Sequence, residues 1–205
     1  MDAKSAISKT YDSCAAEYQE RLKKQKVIKK ETTRILLKYL QPKSRVIDIG
    51  CGVGYDVLML SKKCEAYGID ISPEMAKRAR QRNKNATIIL GDFLRYRFVD
   101  KFDGIFSNAF IHLFPTGIYE KVLREMHRIL TTNGVAYIST TRERRSREGW
   151  YRKKDYRSKA KRFRKYWTKT ELSKALIELG FTIVKYFEMT DPFGKRFMNF
   201  IVRKK

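Results

Sequence analysis

The sequence predicts an α/β protein: a mostly parallel sheet, helices on both faces, and one reversed strand at the C-terminal end. Three observations predict it. Short β-branched runs alternate with helical patterns along most of the chain. The first run leads straight into a glycine-rich turn, Gly50-Cys51-Gly52-Val53-Gly54. The last two runs are joined by a turn too short for a helical crossover.

In order, the strand candidates are Val46–Ile49, Ala66–Asp70, Thr87–Leu90, Phe102–Phe106 and Val135–Ser139. The segment from Tyr119 to Leu130 carries Val122, Leu123, Met126, Ile129 and Leu130 on one helical stripe. A further helix is expected from Thr170 to Leu179, stopped by Gly180. Phe181–Glu188 and Arg196–Val202 then read as strands around Asp191-Pro192-Phe193-Gly194, and so as an antiparallel hairpin at the sheet edge.

The 205 residues make one domain with enough chain for a core, and 42% hydrophobic with 33% charged residues is a globular composition. Charge is the unusual feature: 46 Lys+Arg against 22 Asp+Glu, a net +24. Residues 21–45 hold 10 Lys/Arg and one acid, and residues 142–165 hold 13 Lys/Arg and three acids. Such a balance points to an anionic partner. Three scattered cysteines and two histidines exclude a disulfide framework and a multi-histidine metal site, so no metal is expected. No run is long enough to span a bilayer, and Met1-Asp2-Ala3-Lys4-Ser5 lacks the apolar core of a signal peptide. The expected compartment is a reducing cytoplasm.

The glycine turn is not a G-x-G-x-x-G dinucleotide fingerprint, because Tyr55 stands where the third glycine belongs. It also lacks the Gly-Lys-Ser/Thr ending of a P-loop. Asp70, at the tip of the second strand, has the spacing of an acid that accepts ribose hydroxyls. Gly91-Asp92-Phe93 ends the third strand with a carboxylate and a ring suited to adenine. Together these tips describe a nucleoside pocket without a diphosphate site.

These stretches, Val46–Gly54, Gly68–Ser72 and Gly91–Phe93, resemble the class I S-adenosylmethionine-dependent methyltransferases. Phe102–Asn108, Val122–Gly134 and Tyr166–Leu172 with Leu179–Phe181 resemble later blocks of that family, and Tyr11–Tyr18 its cofactor-capping helix. The resemblance implies a Rossmann-like seven-stranded sheet, S-adenosyl-L-methionine as methyl donor and S-adenosyl-L-homocysteine as product. It implies roles as well. Gly50, Cys51 and Gly52 would follow the methionine part, and Asp48 would help hold its amino group. Asp70 would bind ribose, Ile71 and Met75 would pack beside adenine, and Gly91, Asp92 and Phe93 would complete its pocket. Asn108 and Ala109 would line the methionine side near the sulfonium, with Tyr11 and Tyr18 as cover.

Residues 1–45 are expected to form N-terminal capping helices, and 142–167 a basic, aromatic insert shaping the acceptor site. Trp150, Tyr151 and Tyr166 are its candidate substrate-binding residues, with Tyr156 and Phe163 also among its cations. Aromatics among cations suit stacked bases and phosphates; the same composition suits a solvated amphipathic helix, or a lid over a small-molecule pocket. His112, after the fourth strand, is the one candidate catalytic base, against a packed histidine among aromatics. His127, beside Arg128 on a helix, reads as structural. Three functions are therefore open: a methyltransferase for a small-molecule or anionic acceptor, an RNA methyltransferase using 142–165, and a non-catalytic binding module.

Overall fold

The computed structural model describes residues 3–152 and 161–205. A long helix, α1 (Ala3–Leu37), leads into β1 (Arg45–Ile49), α2 (Tyr55–Leu60), β2 (Glu65–Asp70), α3 (Pro73–Arg82), β3 (Thr87–Leu90) and β4 (Phe102–Asn108). A single 3₁₀ turn at Ile111–Leu113 precedes α4 (Tyr119–Ile129) and β5 (Leu130–Thr141). Then come β6 (Arg147–Arg152), β7 (Lys161–Tyr166), α5 (Lys169–Glu178), β8 (Phe181–Thr190) and β9 (Arg196–Lys204).

Seven strands form one sheet in the order β3-β2-β1-β4-β5-β9-β8. The first five run parallel, with Ile47 opposite Tyr67 and Ile105, and β9 is antiparallel to both β5 and β8. The reversed strand is thus last in sequence but second from the edge, as the short Asp191–Gly194 connection requires.

Successive residues on a strand face opposite ways, and the sheet is buried on both sides. Ile47, Ile49, Ile105, Ile138 and Phe200 meet Val122, Leu123, Met126 and Ile129 of α4 and Leu172 and Leu176 of α5. Val46, Ala66, Phe106, Tyr137 and Ile201 meet Leu36 of α1, Val57 and Leu60 of α2, and Ala76 and Ala79 of α3. Local signals start two of these helices: Ser72 caps α3 by accepting from Met75 N, and Thr168 caps α5 by accepting from Glu171 N. His127 packs edge-on against Phe181, 5.2 Å between centroids, in a structural position.

Two departures from the sequence reading stand out. The N-terminal segment holds one 35-residue helix rather than several. The described residues of the basic insert hold no helix: β6 and β7 pair antiparallel, Trp150 opposite Phe163, as a separate two-stranded sheet. Residues 153–160, including Tyr156, lie outside the described residues. No described helix is long and apolar enough to cross a membrane.

Candidate active site

Ligands of open α/β sheets bind outside the carboxyl ends of the strands. A cavity of about 200 Å³ lies there. Its floor is the glycine turn after β1 (Gly50, Gly52), the tip of β2 with the start of α3 (Asp70, Ile71, Met75), the end of β3 (Gly91, Asp92, Phe93) and the end of β4 (Asn108, Ala109, Phe110, His112). Helix α1 covers it with Tyr11, Tyr18, Arg21 and Lys29, and β7 adds Arg162 and Arg164. Thr141, Asp191, Lys195 and Asn199 come from the ends of β5, β8 and β9.

Gly50 and Gly52 both have left-handed backbone, φ 73 and 53. Gly50 N and Cys51 N both donate to Ile69 O, at 2.9 and 3.1 Å, which holds the turn against β2. The Asp70 carboxylate ties the same elements again: Oδ2 accepts from Gly52 N at 2.8 Å and Oδ1 from Ser72 N at 2.9 Å. Burial pushes the Asp70 carboxyl up to about 6, against the pull of those amides. Gly54, at φ 74, serves packing instead. A Cβ there would meet Asn83 Nδ2 at 2.4 Å and Ala79 Cα at 3.0 Å.

Beneath the turn lies a buried charge cluster. Lys29 of α1 pairs with Asp56 at the start of α2, both almost fully buried. Burial alone would lower the Lys29 pKa, but the Asp56 carboxylate outweighs it and holds the ammonium above its usual value. Asp48 is buried beside them, and its Oδ2 has no hydrogen-bond partner among the described residues. Burial and the Asp56 charge push the Asp48 carboxyl well above the carboxylate range, with Lys29 pulling it back.

At the other end, Asn108 Oδ1 accepts from Ser139 Oγ at 2.6 Å, and Ala109 follows in a left-handed conformation, φ 58. Left-handed alanine is uncommon; here Ala109 N donates to Ser139 O at 3.0 Å. His112 is buried, its Nδ1 3.2 Å from Thr140 Oγ1. Phe110 stands edge-on to Phe93, 6.1 Å between centroids.

Of the residues singled out from sequence, Tyr11, Tyr18, Gly50, Gly52, Asp70, Ile71, Met75, Gly91, Asp92, Phe93, Asn108, Ala109 and His112 line this cavity together. Asp48 and Cys51 do not. The Cys51 side chain turns into the core, against Gly68, where an added Cβ would meet its Sγ at 2.9 Å, and burial pushes its thiol pKa well up. Trp150, Tyr151 and Tyr166 do not line it either. Trp150 is 47% exposed. Tyr151 stands edge-on to Tyr166 at 5.1 Å, and Tyr166 lies under the Arg147 guanidinium at 4.2 Å. Sequence reasoning missed Arg162, Arg164 and Lys29. The period of two in Arg162-Phe163-Arg164-Lys165 was the available signal for the first two.

An α/β sheet whose first four strand tips and glycine turn converge on one cavity is a ligand-binding fold of the Rossmann-like class. Residues 18–186 match the methyltransferase domain family, and the chain belongs to it. The malonyl-[acyl-carrier protein] O-methyltransferase of Legionella pneumophila is 29% identical over 150 residues, 68% of this chain and 51% of its own. An uncharacterised protein of Methanocaldococcus jannaschii is 32% identical over 133 residues, 64% of this chain and 50% of its own. The chain therefore spans about half the length of these curated relatives. The crystal structure of Burkholderia thailandensis 1,6-didemethyltoxoflavin-N1-methyltransferase, with 1,6-didemethyltoxoflavin and S-adenosylhomocysteine bound, superposes with a TM-score of 0.81 at 20% identity, covering 98% of this chain and 88% of that one. Magnesium protoporphyrin IX methyltransferase from Synechocystis PCC 6803, with S-adenosylmethionine bound, gives 0.77 at 16% identity over 100% and 98% of the two chains.

Proposed function

We propose that the chain is an S-adenosylmethionine-dependent methyltransferase acting on a small-molecule acceptor. The observation that carries this is Asp70. Each of its oxygens accepts one amide, from Gly52 and Ser72. The Ile71 amide pulls on the same carboxylate, and the lone pairs left to it suit vicinal ribose hydroxyls. Ile71, Met75 and Phe93 supply the apolar faces an adenine needs. Asp48 does not line the cavity, and its orphaned Oδ2, under the glycine turn, is the kind of buried acceptor that a water bridging to the amino group of a methionine moiety satisfies.

When bound, the cofactor supplies a methyl group on a sulfonium, with a neutral thioether as leaving group. The residues of this chain then have to hold two ligands in line and keep water out. Tyr11 and Tyr18 on α1 cover the donor end, while Asn108, Ala109 and His112 border the site of transfer. His112, held by Thr140, orients the acceptor in this reading.

The acceptors named for similar proteins, malonyl-[acyl-carrier protein], 1,6-didemethyltoxoflavin and magnesium protoporphyrin IX, support an acceptor other than nucleic acid. Residues 1–45 act as cap and 142–167 as acceptor insert on a single domain. Three buried free thiols fit a cytoplasmic protein. RNA is the second reading, because Arg144, Arg145, Arg147 and Arg152 are exposed around the hairpin.

Incubation with labelled S-adenosylmethionine and fractionated cell extract separates the readings. Label in small molecules is the expected result. Label in an RNase-sensitive product, with affinity falling steeply as salt rises, would replace the acceptor reading with RNA.

A further inference from the structure

The β6–β7 hairpin directs its cations to two faces. Lys165 points away from the cavity. Its Nζ lies 2.8 Å from Glu171 and 3.5 Å from Glu148, and 4.7 Å from the centre of the Trp167 ring. A buried ammonium so neutralised anchors the hairpin to α5. Arg162 and Arg164 alternate with it on β7 and both line the cavity.

Arg162 is 6% exposed, and its Nη1 donates to the Tyr11 hydroxyl at 2.7 Å. Arg164 Nη2 donates to Thr141 Oγ1 at 2.6 Å. The Arg164 Nε is buried and has no hydrogen-bond partner among the described residues. Burial and the adjacent Arg162 charge both push the Arg164 pKa below the usual guanidinium value. Two neighbouring guanidinium groups at a cavity wall repel each other, and desolvation weakens their contact with water. An anion between them removes both costs, and the guanidinium fork matches carboxylate and phosphate oxygens.

The walls of the cavity are also polar in the large sense. Asp70 and Asp92 sit at the tips of β2 and β3, on one flank of the sheet order. Arg164 sits by Thr141 at the end of β5 and Lys195 in the β8–β9 turn, on the other flank, and Arg162 reaches over from β7 to Tyr11 of α1. Of the acids on that second flank, Asp191 is engaged, its Oδ1 accepting from Phe193 N and Lys195 N at 2.9 and 2.8 Å and its Oδ2 from Gln25 at 3.4 Å, while the Glu143 charge offsets only part of the push on Arg164.

We propose that Arg162 and Arg164 form an anion subsite in the acceptor half of the cavity, and that the methyl acceptor is a small molecule bearing a carboxylate or phosphate group. This rests on the methyltransferase reading of the cavity.

The test uses the whole protein saturated with S-adenosylhomocysteine and titrated separately with malonate, inorganic phosphate and neutral malonamide at low salt. Saturable binding of malonate or phosphate with Kd on the order of 1 mM is expected, with no binding of malonamide. The tighter of the two anions identifies the acceptor group. Arg164→Met should weaken it at least tenfold, Arg164→Lys less, and both variants should hold S-adenosylhomocysteine as the parent does. Absence of saturable anion binding overturns the subsite. So does anion binding that Arg162→Met and Arg164→Met leave unchanged. Should the parent fail to bind S-adenosylhomocysteine, the methyltransferase reading falls, and the anion titrations repeated without it still decide the subsite.

Discussion

The Asp70 carboxylate accepts the Gly52 amide at 2.8 Å, so the tip of β2 and the glycine turn after β1 form one hydrogen-bonded unit. A single side chain both fixes the turn and faces the cavity. Asp70→Ala is expected to weaken S-adenosylhomocysteine binding by about 1–3 kcal/mol, the cost of lost hydrogen bonds to a charged acceptor. Calorimetry reads it directly. Affinity equal to the parent's would dismiss the ribose role.

The same carboxyl gives a pH dependence of known sign. Its folded pKa of about 6 lies above the ordinary carboxylate value, so the folded state of the unliganded protein takes up the proton more readily. Its stabilising contribution is complete below the ordinary value and is lost as pH rises through about 6. Hydroxyl donors prefer the ionised form, so affinity for S-adenosylhomocysteine should rise across that interval and level off near pH 7. Asp70→Asn should remove the step. A step of unchanged size in this variant would assign it to another group.

Gly52 and Gly54 have similar backbone and different neighbours, and this separates binding from folding. A Cβ on Gly52 would sit 3.4 Å from the Tyr18 ring, in ordinary contact and within the cavity. A Cβ on Gly54 would strike Asn83 and Ala79 of the α2–α3 packing. Gly52→Val should therefore abolish cofactor binding while the protein still folds, at a backbone cost of about 1–2 kcal/mol. Gly54→Ala should lower stability further. Thermal melts beside calorimetry distinguish the two.

Lys29 and Asp56 form a buried pair at the wall of the cavity. Lys29→Met would leave Asp56 and Asp48 buried without their cation, and about 3–5 kcal/mol of stability should be lost. Adding Asp56→Asn to it should restore more than half. Urea denaturation of the single and double variants measures both.

How much of this was legible in the sequence follows from burial. The central strands are covered on both faces, so Val46–Ile49 and Val135–Ser139 read as apolar runs, and the glycine turn marked where a ligand approaches. Those cavity residues that fall within the motif blocks were accessible for that reason. The β6–β7 hairpin was not. Arg-Glu-Gly-Trp-Tyr-Arg and Lys-Arg-Phe-Arg-Lys-Tyr carry little apolar periodicity, because this small sheet buries cations among carboxylates and rings. Its aromatics drew attention by type, yet Trp150 and Tyr151 pair with Phe163 and Tyr166, and Arg162 and Arg164 reach the cavity. Lys29 was hidden in a helix basic on many sides, and Cys51 was placed on the ligand side of a turn whose side chain points into the core.

The most direct measurement is calorimetric titration of the purified protein with S-adenosylhomocysteine at pH 7.5. One saturable site per chain at micromolar affinity, lost in Gly52→Val and weakened in Asp70→Ala, is the predicted result. No heat at millimolar ligand, from protein that melts as a single folded species, would contradict it.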